Sequence, residues 1–149
     1  MSEIGFYHLL RVPLERALPR LLEKALSAGH RVLVLAGSEE RVEALNAALW
    51  TYDDAAFLPH GSAGDGHAAE QPIWLTAAPE NPNGATLLAL VDGAEPPELA
   101  GYARCLNLFD GNDDEAVARA RRQWADLKAA GHALTYWQQT PAGGWEKKA

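Results

Sequence analysis

The apolar positions of this chain change period along its length, and each change marks an element. Ile4-Gly5-Phe6-Tyr7-His8-Leu9-Leu10 is short and dense in apolar residues and predicts a first strand. From about Pro13 to Ala28 the spacing turns helical, with Leu14, Leu18, Leu21, Leu22 and Leu26 on one stripe and Gly29 placed to end the helix. Pro19 falls inside this pattern, where a proline costs on the order of 3 kcal/mol, so a kink or a restart of the helix is expected there. Val32-Leu33-Val34-Leu35 is continuous and β-branched-rich, as in a parallel strand covered on both faces. Ser38 can cap a second helix that runs through Trp50, its core side formed by Val42, Leu45, Ala48 and Leu49.

Ile73-Trp74-Leu75-Thr76, Thr86-Leu87-Leu88-Ala89-Leu90-Val91 and Arg104-Cys105-Leu106-Asn107-Leu108-Phe109 predict three further strands, separated by turn-rich stretches at 79–84 and 92–97. A third helix is predicted from about Asp113 to Ala130, with Asn112 as N-cap, Glu115 three residues on, and Gly131 closing it. Ala133-Leu134-Thr135-Tyr136-Trp137 supplies a last strand. This alternation of strand and helix predicts an α/β fold: a single open, mainly parallel sheet flanked by helices and joined by right-handed crossovers. The expected organisation is one domain over residues 1–139 and a flexible C-terminal tail over 140–149.

Composition narrows the function. The 149 residues suit one domain with its own core, 48% of them are apolar, and no apolar run approaches the ~20 residues of a membrane span. Met1-Ser2-Glu3-Ile4-Gly5 lacks the basic and apolar regions of an export signal, and the single Cys105 cannot form an internal disulfide, so a cytoplasmic location is expected. A net charge of −7 opposes direct attraction to nucleic acid, leaving any such role indirect. Arg119, Arg121, Arg122 and Lys128 nevertheless gather in one late segment, a local patch that suits an acidic peptide.

Candidate chemistry is sparse. Phosphate cradles need glycines between a strand and a helix, but the first strand is followed by Arg11-Val12-Pro13 and the second offers only Gly37, so no nucleotide-binding loop is expected. Gly61, Gly64 and Gly66 precede a strand rather than a helix. The five histidines are scattered and Cys105 has no thiolate partner, so no metal or cofactor is expected. No spacing places Cys105 or Ser62 beside a base, and Cys105 alternates with strand residues as a core side chain does. Two surfaces remain. On the third helix, Ala116, Val117, Ala120, Trp124 and Leu127 share an apolar stripe with Arg121 and Lys128 along its flank. That stripe can be plain core with solvated charges beside it, or a binding edge for a peptide with an apolar side chain next to carboxylates. The second is the cluster of large apolar side chains Trp50, Phe57 and Pro59 bordering a glycine-broken loop, which suits a docked protein.

Taken in order, these segments resemble the chi subunit family of bacterial DNA polymerase III. The residues that carry the resemblance are Phe6-Tyr7, Gly29-His30-Arg31-Val32-Leu33-Val34, Leu49-Trp50 with Phe57-Leu58-Pro59-His60 and Gly64-Asp65-Gly66, then Arg121, Trp124, Gly131 and Leu134. The resemblance implies a Rossmann-like fold without a nucleotide site and a non-enzymatic accessory subunit of the clamp-loader assembly. It also implies two interfaces. One takes the acidic, phenylalanine-ended tail of single-stranded DNA-binding protein on Val117, Arg121, Trp124 and Lys128. The other takes the psi subunit, or an alternative partner such as a helicase, on Trp50, Phe57, Leu58, Pro59 and His60. Where similar proteins can carry a lysine after the aromatic of the tail-binding helix, this chain has Ala125. The competing reading is a small-ligand or nucleotide-utilising α/β enzyme with its site at the carboxyl ends of the strands.

Overall fold

The elements of the computed structural model follow the apolar pattern closely. It describes residues 3–10, 13–51, 60–62, 71–78, 80–95, 97, 99, 101–142 and 144–148. In chain order they form β1 (Glu3–Leu9), α1 (Leu14–Ser27), β2 (Val32–Leu35), α2 (Glu39–Thr51), β3 (His60–Ser62), β4 (Ile73–Thr76), β5 (Leu87–Leu90), β6 (Arg104–Asp110), α3 (Asp114–Ala129), β7 (Ala133–Gln139) and β8 (Trp145–Lys147). Among the described residues these strands make one eight-stranded sheet in the order β3-β4-β2-β5-β6-β1-β7-β8. Every neighbouring pair is parallel except β7 and β8, so the fold is an open, mainly parallel α/β sheet.

Two helix ends show how local chemistry sets the boundaries. Beyond α1, Gly29 takes φ +87, its N–H bonds Leu26 O and the N–H of His30 bonds Ala25 O, both at 3.0 Å. Beyond α3, Gly131 takes φ +90 and the same pair of bonds runs from Gly131 to Lys128 and from His132 to Leu127. Both are glycine-dependent caps that satisfy the last carbonyls of a helix. At the start of α2, Ser38 Oγ accepts the N–H of Arg41 at 3.3 Å.

The structure corrects one local expectation and narrows another. The cap of α3 is Asp113, whose Oδ1 accepts from the N–H of Glu115 at 3.0 Å and of Ala116 at 3.4 Å. Asn112 instead donates from Nδ2 to Leu10 O, tying the end of β1 to the loop before α3. Helix α1 runs through Pro19 without restarting, and the buried Pro19 joins Leu18, Leu21 and Leu22 on its core side. Two strands lay outside the sequence reading: β3, and β8, which falls in the segment read as a tail. Trp145 of β8 packs edge-on against Tyr7, with ring centroids 5.0 Å apart.

Crossovers decide which face each helix covers. From β1 the chain passes by α1 to β2, and from β2 by α2 to β3, toward one end of the sheet. From β6 it passes by α3 to β7, toward the other end. Right-handed connections in opposite directions put α1 and α2 on one face and α3 on the other. One core cluster gathers Leu18, Leu22, Val34, Leu75, Leu106 and Leu108 beneath α1 and α2. The other gathers Ile4, Phe6, Leu33, Leu88, Cys105 and Phe109 with Ala120 and Leu127 of α3.

The α3 face carries one buried polar link. Asn107 Nδ2 donates to Gln123 Oε1 at 2.8 Å, and Gln123 Nε2 reaches Ala94 O at 3.4 Å. Asn107 and Gln123 are 5% and 4% exposed, so each must find its partner inside the protein. Replacing Asn107 by Ala strands the Gln123 carbonyl, and urea unfolding should show a loss of about 1–3 kcal/mol; an unchanged midpoint would mean the pair contributes nothing to the docking of α3.

Candidate functional site

Two concavities lie near the carboxyl end of β6. The first sits where the connections leave neighbouring β1 and β6 in opposite directions, the position at which open α/β sheets ordinarily bind ligands. Its volume is about 540 Å³, and its walls include Pro13, Arg41, Asp92, Gly93, Asp110, Asp113 and Arg119. Several of the polar groups here are committed to one another. Arg41 donates from Nε to Asp92 and from Nη2 to Glu15, each at 2.8 Å, and that hydrogen bond holds the Glu15 carboxyl below its ordinary range. A Cβ at Gly37 would meet Asp92 O at 2.6 Å, so this glycine permits close packing of two loops. Gly93, at φ +76, lies under the guanidinium of Arg119 in the same way.

The second concavity is the candidate binding site. It is a pocket of about 330 Å³ lined by Val117, Ala120, Arg121 and Trp124 of α3, Phe109 of β6 and Tyr136 of β7. Helical spacing puts Val117, Arg121 and Trp124 on one side of α3, as 117, 121 and 124 follow the i, i+4, i+7 row. Parallel pairing of β1 with both β6 and β7 brings Phe109 and Tyr136 to the same end of the sheet.

Trp124 belongs to the core and to the pocket at once. Its ring meets Phe6 edge-on at 5.3 Å and Tyr136 at 5.9 Å, while the residue stays partly exposed and lines the cavity. Phe109 and Tyr136 stand 6.1 Å apart at 61°. Interlocked edge-to-face rings hold the walls in place before any ligand arrives. Arg121 is exposed at the rim, and no carboxylate among the described residues pairs with it. Burial raises the Tyr136 hydroxyl above the ordinary tyrosine value, against the lowering influence of Arg121.

Val117, Arg121 and Trp124 therefore come together as the helical spacing predicts. Lys128 is exposed two turns beyond Arg121 on α3 and is not part of the pocket wall. Sequence reasoning missed Phe109 and Tyr136, although strand alternation puts Phe109 in line with Cys105 and Tyr136 in line with Leu134. On the second predicted surface, Phe57, Leu58 and Pro59 lie outside the described residues. Trp50 is a position in the last turn of α2, and His60 opens β3 at one edge of the sheet.

Fold and site together define a Rossmann-like α/β protein with an aromatic pocket and, on the flank of its third helix, an arginine that no carboxylate among the described residues pairs. The chain belongs to the family of the DNA polymerase III chi subunit, HolC, which it matches over residues 1–135. Over 109 residues it is 30% identical to a protein of Rickettsia prowazekii (strain Madrid E) named probable DNA polymerase III subunit chi. That alignment covers 73% of this chain and 66% of the relative, so the chain spans just under two thirds of the relative's length. Among the described residues no helix is long and apolar enough to cross a membrane.

Cys105 is fully buried on the α3 side of the sheet, and burial pushes its thiol up to about 12. A thiol so placed is a packing group with almost no thiolate at neutral pH. Native protein should resist alkylation by iodoacetamide at pH about 8 and react fully once unfolded in urea; rapid labelling of the folded chain would reopen Cys105 as a nucleophile.

Proposed function

We propose that this chain is a non-catalytic, cytoplasmic accessory subunit of the DNA polymerase III clamp-loader assembly, tethering it to single-stranded DNA-binding protein during replication. One observation carries the reading: an apolar aromatic pocket on α3 with an arginine at its rim that no carboxylate among the described residues pairs. A peptide ending in phenylalanine and preceded by aspartates has the complementary chemistry. Its ring enters between Val117, Trp124, Phe109 and Tyr136, its terminal carboxylate meets Arg121, and Lys128 attracts the acidic residues behind it.

The second interface of this proposal comprises Trp50, Phe57, Leu58, Pro59 and His60, and its partner is the psi subunit or an equivalent component, a helicase among the candidates. The geometry favours simultaneous use of both. The β3 edge lies four to six strand positions from β6 and β7 in the sheet order, roughly 20–30 Å at the usual strand spacing. Helices α2 and α3 also cover opposite faces. Two moderate contacts held in one assembly gain from effective concentration, which is what a tether needs. Contact with nucleic acid is then indirect, through the protein that coats it.

Calorimetric titration with the C-terminal peptide of single-stranded DNA-binding protein tests the tail site. Binding should vanish when the final phenylalanine is removed. Arg121→Ala should weaken it by at least ~1 kcal/mol, about fivefold, as expected for a lost charge-assisted contact. Affinity should also fall with added salt, because rim charges are screened over about 8–10 Å near physiological ionic strength. Equal binding of full and truncated peptides would overturn the assignment.

A further inference from the structure

Alternation along β1 turns Ile4, Phe6 and His8 toward α3. Ile4 and Phe6 are buried there, and His8 follows at the carboxyl end of the strand, half-buried. Its ring centroid lies 5.0 Å from that of Phe109, its partner across β6, and 5.8 Å from that of Tyr136. Its Nδ1 is hydrogen-bonded to the Tyr136 hydroxyl. On its other side the ring passes so close over Gly111 that any side chain there would collide with it. Phe109 and Tyr136 are pocket walls, and Arg121 is a third. One imidazole thus backs the site from behind.

We propose that His8 is a positioning residue of this pocket: it fixes Phe109 and Tyr136 from the rear and links them to Arg121, so that capture of a carboxylate at Arg121 draws a proton onto His8. The inference rests on the tail-binding reading of the pocket and adds regulation by pH to it. With the neutral ring protonated at Nε2, the Tyr136 O–H donates to Nδ1. When Nδ1 takes a proton from solvent the bond reverses: Nδ1–H donates to Tyr136 Oη, and the phenolic hydrogen is released to donate to an acceptor in the pocket. No other bond changes.

The charged surroundings set the sign. Burial holds the His8 pKa below the ordinary histidine value, the hydrogen bond with the Gly111 backbone raises it, the Arg121 charge lowers it, and Asp110 raises it. With Tyr136 from β7, these are, among the described residues, the titratable and charged groups facing the ring from α3 and the end of β6. A ligand carboxylate offsets the charge of Arg121, so the His8 pKa is higher in the complex than in the free protein. Affinity therefore rises as pH falls through the pKa of the complex and levels off below that of the free protein.

The test is titration of the full chain with the phenylalanine-ended acidic peptide from about pH 8 to pH 5.5, a range in which the peptide carboxylates stay ionised. Buffers of different ionisation heat report proton uptake. The expected result is about threefold tighter binding at the lower pH with net proton uptake. His8→Asn, which retains an acceptor near the Nδ1 position, should bind about twofold more weakly at the upper pH and lose the pH dependence. Tyr136→Phe keeps the ring wall but removes the bond to Nδ1 and should reduce the pH dependence, which preserves the test if His8→Asn misfolds. Tight binding without proton uptake, or an unchanged slope in both variants, overturns the coupling and leaves the tail site standing. Absence of peptide binding at every pH overturns the tail reading, and an NMR titration of His8 in wild type and Arg121→Gln then decides the coupling: a raised His8 pKa in the variant supports it, and an unmoved one overturns it.

Discussion

The parallel pairing of β1 on both of its sides is the constraint on which the rest of the molecule depends. Residues at the start of the chain pair with β6 over the whole length of β1 and with β7 over six of its seven positions, and both partners come from the last third of the sequence. The centre of the sheet therefore closes only when distant segments meet, which places its completion late in folding. It also sets the division of the faces. Because connections leave β1 and β6 in opposite directions, alternate residues of the same two strands serve different helices. Tyr7, Leu9, Leu106 and Leu108 pack in the cluster beneath α1 and α2, and Ile4, Phe6, Cys105 and Phe109 in the one beneath α3.

The pocket is a by-product of that arrangement. Helix α3 is shorter in apolar surface than the sheet beneath it, and its Val117 and Trp124 are only partly covered. Trp124 fixes itself by its contact with Phe6, a residue with no exposed surface, and leaves part of its side chain facing the pocket. Each edge-to-face contact of Phe6 with Trp124, and of Tyr136 with Trp124, His8 and Phe109, contributes on the order of 0.5–1.5 kcal/mol beyond simple burial. Walls held this way need little ordering when a ligand arrives, so more of the contact energy remains as affinity. The core and binding-edge readings of the α3 stripe are thus compatible, since one indole packs on the core and also lines the pocket.

What was legible in the sequence follows from the range of the interactions involved. Apolar period and glycine caps are local, and they marked α1, α2, α3 and the six longer strands. The edge strands β3 and β8 are three residues each, rich in small or charged side chains, and owe their conformation to the neighbour they pair with. The choice between Asn112 and Asp113 as cap was also tertiary, because Leu10 O engages the Asn112 side chain. Val117, Arg121 and Trp124 could be grouped from helical spacing alone. Phe109, Tyr136 and His8 could not, because their meeting requires the strand order β6-β1-β7, which no local pattern encodes.

The crevice at the switch between β1 and β6 sharpens the distinction between fold and function. In nucleotide-binding sheets of this type the same position offers glycine backbone and unengaged donors to a phosphate. Here Gly37 admits the backbone of Asp92, Gly93 lies under Arg119, and Arg41 is bound on two sides by Glu15 and Asp92. Glycine and arginine are present, but they join loop to loop. An incoming phosphate would have to displace Arg41 from two carboxylates and face both of them afterwards. Arg121, which no carboxylate among the described residues pairs, stands instead on the flank of α3 beside aromatic walls, so the proposed ligand, an anion with an apolar end, matches that pocket better than the crevice.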